Sequence, residues 1–581
     1  MTTTRSGFTK LAAVCIAILL GAVVWELGWP LTRAEHEWSR LIAAVATLGH
    51  LTGILGSYFR KEINRPSLRL LIFQIISCLM IFLLIAREQQ EAGYMRFTEL
   101  SRLVITAGLI AIPTLMSLTR IFEWLVGKQK KGRPLMAPAM QFVASLGVVI
   151  LAGTGLLLLP NSTYPGITLS FTDALFTSTS AVCVTGLNAV DFAHTFTPLG
   201  EMFTLALIQI GGFGIMTFAY FVAMVAGQGF SLRDRVLLTD LLDEDNLGAV
   251  VSFITTIVVS TLFIELCGAV LLYFSWEGKD INLMGEPLWW HSLFHSVSAF
   301  CNAGFSTFPM NLMEPGIRLC YSGQAVIMAL IVCGLGFGIY KEINSRLANR
   351  FFSKHRRLHM QWTPYFKLVM ISTGILLAGG ALAIFAVSSP HAAEPLGEHL
   401  WICLFDSVTA RTAGFNISDY GRYLPAASLI MCGLMMVGGS PGGTAGGMRT
   451  TTCAIAGAEI LRILRGRDHV EFFRRRIDQR TVARCVITVV VSCAWIGCFT
   501  VLICALEPSM SSLDIFFENC SAFATVGVSR GITPDLSGPS KYLLIVNMLA
   551  GRVGLFAFLI ALAGTPTPRH YRYPSVKIPL T

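Results

Sequence analysis

Apolar runs roughly 20 residues long, the length a helix needs to cross a bilayer, recur along the whole chain. In lipid such a run forms a helix, because only there do its backbone N–H and C=O groups find partners within the segment. Helices are predicted near 11–29, 41–58, 68–86, 101–126, 139–160, 199–226, 250–275, 320–341, 365–388, 424–463, 483–506 and 541–563. Composition agrees with twelve spans. Only 13% of the 581 residues are charged and 54% are hydrophobic, about half the charge of a soluble protein. Disorder needs many charges and few aromatics, whereas aromatics here are 10%. The expected class is an all-α, polytopic integral membrane protein.

The tenth run is twice as long as a bilayer requires. Its middle reads Gly438, Gly439, Ser440, Pro441, Gly442, Gly443, Thr444, Ala445, Gly446, Gly447, which cannot stay helical. Two half-helices joined by an irregular loop are expected, and a loop at membrane depth must be buried in protein or line water. The net charge of +10 reports topology in such a protein, since basic residues stay in the cytoplasm. Basic segments at 60–69, 128–133, 341–367 and 462–484 all fall inside when the N-terminus is cytoplasmic. A nucleic-acid patch is the weaker reading of any one of them. The first run follows Arg5 and Lys10 but has no clear small-x-small cleavage site, so a retained helix is preferred over a signal peptide. Most of the 15 cysteines sit in apolar runs and read as small hydrophobes rather than a disulfide framework.

Four short segments between spans share a pattern. They run 173–188, 291–306, 401–416 and 514–529, and without gaps they align Gly186, Gly304, Gly414 and Gly527. An apolar residue follows each glycine (Leu187, Phe305, Phe415, Val528), then a small polar one (Asn188, Ser306, Asn416, Ser529). Ten residues before each glycine stands Phe176, Phe294, Leu404 or Phe517. Each segment lies between two spans on the external side, giving a unit of span, short helix, glycine turn and span. The short helix cannot cross and is expected to re-enter, with Asp173 and Asp514 as N-caps and the negative dipole end at the bilayer centre. An extended stretch ending at glycine can then turn its carbonyls toward an ion and replace the hydration shell.

These residues resemble the Trk/Ktr/HKT superfamily of potassium transporters over about 139–565. The matching motifs are Thr185-Gly186-Leu187, Ser298 to Phe305, Ala410 to Asn416, Ser521 to Val528, Ile210 to Thr217, the 438–447 loop followed by Met448 to Cys453, and Gly551-Arg552-Val553-Gly554. The resemblance implies four linked repeats around one pore, with a pore region divided as 136–228, 229–345, 346–465 and 466–581 after an extra membrane region at 1–135. It implies that carbonyls of Cys183, Val184, Thr185 and Gly186, of Cys301, Asn302, Ala303 and Gly304, of Arg411, Thr412, Ala413 and Gly414, and of Ala524, Thr525, Val526 and Gly527 bind dehydrated K+. Glycine in all four filters implies potassium rather than sodium. The 438–447 loop is implied as a gate held by Arg552, and a lone arginine within an apolar span needs water or backbone carbonyls. Cys183 departs from the small residue the family pattern leads one to expect, and the first 135 residues have no counterpart in the minimal architecture.

The resemblance further implies a homodimer in the cytoplasmic membrane and a cytosolic nucleotide-binding regulatory subunit docked on 341–367 and 462–484. The chain itself calls for no organic cofactor and no nucleic acid. Gly211, Gly212, Gly214, Gly334, Gly336 and Gly338 lack the strand and Gly-Lys-Ser/Thr of a phosphate loop and are expected to let helices pack closely. His355 and His359 form a weak metal pair. Glu265 is either functional or paired with a neighbouring helix. A membrane-embedded enzyme would need paired intramembrane acids or a His-Glu-x-x-His motif, and neither occurs in the sequence. A Na+-permeable or Na+/H+-coupled transporter of the same fold is the alternative to K+ uptake, and a transporter with inverted repeats is disfavoured by repeats of one orientation.

Overall fold

In a computed structural model of the chain, the residues described are 138–214, 250–334, 362–388 and 395–563, with scattered positions between 14 and 52 and between 336 and 346. The predicted spans at 68–86 and 101–126, the basic segments at 60–69 and 128–133, His355 and His359 lie outside them. So do the second half of 199–226 and most of 341–367.

The helices fall into four sets. The first holds α1 (Pro138–Leu157), α2 (Phe171–Cys183) and α3 (Pro198–Phe213). The second holds α4 (Val250–Trp276), α5 (Leu288–Cys301) and α6 (Tyr321–Cys333). The third holds α7 (Pro364–Val387), α8 (Leu396–Thr409), α9 (Pro425–Val437) and α10 (Thr450–Leu464). The fourth holds α11 (Gln479–Leu506), α12 (Ser512–Ala524), α13 (Gly538–Val553) and α14 (Leu555–Ala563). A two-stranded hairpin, Glu471–Phe472 against Arg475–Arg476, follows α10.

Local chemistry sets the ends. Ser170 caps α2: its hydroxyl accepts from Asp173 N at 3.1 Å and donates to the Asp173 carboxylate at 2.7 Å. Thr197 and Thr363 cap α3 and α7, each with proline at the first helical position, where the missing N–H costs nothing. Asp173 and Asp514 are therefore not N-caps but third helical residues, where they face the helix dipole and pair with Lys541 (2.8 Å) and Arg530 (2.6 Å).

Three helices among the described residues are long and apolar enough to cross a bilayer unaided: Thr255–Trp276 within α4, α7 and α11. Their partners are shorter. Helices α3, α6, α9 and α13 have 16, 13, 13 and 16 residues, so they rise about 20–24 Å at 1.5 Å per residue. Each stops at a glycine: Gly214, Gly334, Gly438 or Gly554. The predicted spans at 320–341 and 541–563 are thus broken, and interruption is not special to 424–463. The apolar pattern hid these breaks because the residues beyond them remain hydrophobic.

Packing is cyclic. Helix α3 contacts α5, α6 contacts α8, α9 contacts α12, and α13 contacts α2, so the third helix of each set leans on the short helix of the next. Phe192, after the first short helix, sits 5.8 Å from the Phe294 ring and 5.3 Å from that of Phe305 in the second set. Close approach uses glycine at Gly211, as expected, and also at Gly551, which the packing expectation did not include. A Cβ at Gly211 would strike the Val182 carbonyl, and one at Gly551 the Phe523 carbonyl. Since backbone cannot step aside cheaply, Gly551→Ala should cost about 1–3 kcal/mol and lower the thermal midpoint of the detergent-solubilised protein; an unchanged midpoint would show that α13 can slide.

Candidate functional site

A left-handed residue follows each short helix, at the C-cap of α2, α5 and α12 and three residues past the end of α8, whose own C-cap Ala410 is right-handed. These are Val184 (φ 56°), Asn302 (φ 60°), Thr412 (φ 71°) and Thr525 (φ 51°), and two residues later come Gly186, Gly304, Gly414 and Gly527, also at positive φ. Four non-glycine residues at equivalent left-handed positions mark a backbone held by its surroundings. Cys183, Cys301 and Ala524 close their helices, so the extended part starts one residue later than the sixteen-residue expectation drew it.

The sequence builds this turn from hydroxyls in the last turn of each helix. Ser180 and Ser521 each accept the N–H of their own glycine, Gly186 and Gly527, at 3.0 Å. Ser298 and Thr409 instead donate to the carbonyls of Phe305 (2.8 Å) and Phe415 (2.6 Å). The N–H groups of Thr185, Ala303, Ala413 and Val526 turn back to the helix carbonyls of Ser180, Ser298, Thr409 and Ser521. Among the described residues, the carbonyls of 184–186, 302–304, 412–414 and 525–527 accept no hydrogen bond. All twelve residues are buried.

The four turns meet in a ring. A Cβ at Gly186 would strike the Ala303 carbonyl, one at Gly304 would lie 2.8 Å from Ala413 O, one at Gly414 2.7 Å from Val526 O, and one at Gly527 would strike the Thr185 carbonyl. The contacts run in one sense from set to set and close on themselves. Buried carbonyls without donors are costly, and a ring of them can take the place of water around a monovalent cation. The hydroxyls of Thr185, Thr412 and Thr525 and the amide oxygen of Asn302 add four buried oxygens without hydrogen-bond partners.

The 438–449 segment lies against this ring at the end nearest the helix C-termini. A Cβ on Gly446 would meet the Thr525 hydroxyl, and one on Gly439 would sit 3.8 Å from that of Thr412. Asn302 Nδ2 donates to Thr444 Oγ1 at 3.0 Å. Arg552 Nη1 donates to the Thr444 carbonyl and Nη2 to the Gly211 carbonyl. The loop thereby touches residues of the second, third and fourth sets, and Arg552 ties it to the first. Gly438, Gly442 and Gly447 have positive φ, and Ser440, Thr444, Ala445 and Gly446 are buried while Gly442 is exposed.

Several contributors were missed in the sequence. Arg449 (φ 66°) donates from Nη1 to Ser440 O at 3.4 Å, and Tyr365 OH donates to Pro441 O at 2.7 Å. The signal for Arg449 was the one that singled out Arg552, a cation inside an apolar run. Beyond the glycines, Ser306 is held by His295 at 2.8 Å and Ser529 by the Glu518 carboxylate. Glu265 pairs with a neighbour: its two oxygens accept from Gln209 Nε2 at 3.1 Å, and Cys301 Sγ donates to it at 3.6 Å.

A family model described as "TrkH: Cation transport protein" matches residues 104–573. The chain belongs to that family. As a TrkH-family member it is a membrane protein of a cation-transporting class. It is 34% identical over 445 residues to the Ktr system potassium uptake protein B of Bacillus subtilis, a match covering 74% of this chain and 94% of the relative. It is 32% identical over 465 residues to the potassium/sodium uptake protein NtpJ of Enterococcus hirae, covering 78% and 99%. The crystal structure of the potassium transporter TrkH from Vibrio parahaemolyticus superposes with a TM-score of 0.60 at 18% identity, covering 85% of this chain and 97% of that one. That likeness identifies the all-α fold.

Proposed function

We propose that this TrkH-family chain carries K+ across the cytoplasmic membrane through a pore whose filter is the ring of four glycine turns. The observation that carries this is the closed set of buried carbonyls lacking a donor among the described residues, which a dehydrated cation would satisfy. Relatives named as potassium uptake proteins support the choice of ion. In this reading residues 136–228, 229–345, 346–465 and 466–581 are four repeats, and the filter comprises the residues from Val184, Asn302, Thr412 and Thr525 to their glycines, with Cys183, Cys301, Arg411 and Ala524 behind them. The 438–447 loop is the gate and Arg552 its latch, donating to the loop carbonyl that faces it.

The N-terminus is placed in the cytoplasm by the basic segments. Two copies of the chain and a nucleotide-binding regulatory subunit would complete the assembly, with the subunit on the arginines at 465, 467, 474, 475, 476 and 480, all exposed around the hairpin. A second reading, joint K+ and Na+ passage, is favoured by the name of the Enterococcus relative. One measurement separates them: Rb+ and Na+ uptake after expression in a strain lacking K+ uptake, with and without a regulatory subunit. Rb+ entry well above Na+ entry is expected. Comparable rates would favour the joint reading, and no Rb+ entry in either condition would overturn both.

A further inference from the structure

A small, partly open pocket lies between the third glycine turn, the 438–449 loop and the outer helix α7. Its wall includes Arg411, Thr373, Ser440, Asn302, Leu377 and Val408. The cavity volume is about 20 Å³, above the ~10–15 Å³ that one water-sized occupant requires. Arg411 is only 6% exposed, and both of its terminal nitrogens, Nη1 and Nη2, are without a hydrogen-bond partner. The hydroxyls of Thr373 and Ser440, 4% and 1% exposed, are likewise unpartnered. Arg411 has no ion-pair partner among the described residues. Asp406, in the same helix α8, is occupied by Tyr420 at 2.9 Å, by Tyr423 and by Ser418.

A guanidinium buried without a counter-charge is costly and is normally paired. Water in the cavity would supply hydrogen bonds but no charge. The donors here also have one sense: the guanidinium N–H groups and two hydroxyls belong to residues lining the same cavity, and all can donate. Asn302 Oδ1, the other unpartnered wall atom, is an acceptor and carries no full charge to offset the guanidinium.

We propose that this cavity binds one small monovalent anion of the chloride class, held by Arg411, Thr373 and Ser440. The anion neutralises Arg411 and joins three elements: the third glycine turn through Arg411, α7 through Thr373 and the glycine loop through Ser440. Its narrow interior suits a single small ion rather than a larger anion. The inference concerns an anion behind the ring and stands whether or not the ring selects K+.

The test uses the full-length protein purified in detergent at constant K+ and ionic strength. Its thermal midpoint is followed as gluconate is replaced by chloride or bromide. A saturable rise of a few degrees is expected with both halides, because a ligand bound only to the folded state stabilises it. Arg411→Met should abolish the rise. Thr373→Val and Ser440→Ala, which keep the cation and leave the fold a second chance, should each weaken halide binding about five- to tenfold. A bromide anomalous peak in the cavity is the direct readout. Equal midpoints in gluconate and chloride, or a halide response untouched by both hydroxyl substitutions, would overturn the proposal.

Discussion

Arg552→Ala is expected to raise cation flux about 30-fold in the absence of any regulatory subunit. Arg552 occupies the last turn of α13, next to the break at Gly554, where the helix dipole favours a cation. Its two N–H groups reach the Thr444 and Gly211 carbonyls, so one side chain holds the loop to the wall of the first set. A hydrogen bond from a charged donor contributes about 1.5–3 kcal/mol. Losing about 2 kcal/mol on the loop side moves a two-state equilibrium by about 30-fold. Arg552→Lys should lie in between, since an ammonium is a point charge rather than a planar fork able to span both carbonyls. Rb+ flux into proteoliposomes is the readout. Lower flux from a normally folded Arg552→Ala protein would remove the latch assignment.

Gly186→Ser is expected to lower discrimination between K+ and Na+ about tenfold while flux persists. Gly186 has φ 94°, and a left-handed backbone costs a residue with a Cβ about 1–2 kcal/mol. That Cβ would also meet the Ala303 carbonyl, so the ring must widen at the contact between the first and second turns. About 1.4 kcal/mol of lost preference corresponds to a tenfold change. Gly531→Ser is the control. Gly531 also has positive φ (92°) but nothing lies within 4 Å of its Cβ position, so strain alone is imposed and selectivity should hold. Equal selectivity in wild type and Gly186→Ser, measured as the Rb+ to Na+ uptake ratio, would place Gly186 outside the ion path.

The parts of the site legible in the sequence are those that backbone chemistry writes locally. A glycine at each of positions 186, 304, 414 and 527 is needed where φ is positive and a neighbour's backbone is close, so the residue type betrays the place. The 438–447 run is legible for the same reason, and Arg552 because a cation within an apolar run demands a partner. What stayed hidden are contacts between residues far apart in the chain. Asn302 and Thr444 are 142 residues apart, and Arg552 reaches Gly211 across 341. Nothing near either partner in the sequence specifies the other. The breaks at Gly334 and Gly554, and the helix stop at Gly214, were hidden differently, because hydropathy measures burial in lipid and not whether the helix is continuous.

The sequence by itself determined that this chain lives in a bilayer as helices, that four glycine-ended segments recur, and that one span must break. Those properties follow from hydrophobic length and backbone conformation, which each segment carries within itself. Only the tertiary structure decided that each glycine turn abuts the next until the fourth meets the first, that the loop rests against that ring, and that Arg411 lines a cavity with no countercharge among the described residues. Those depend on the close packing of helices distant in sequence, where even a single Cβ on Gly186 or Gly527 would strike a neighbouring turn's carbonyl.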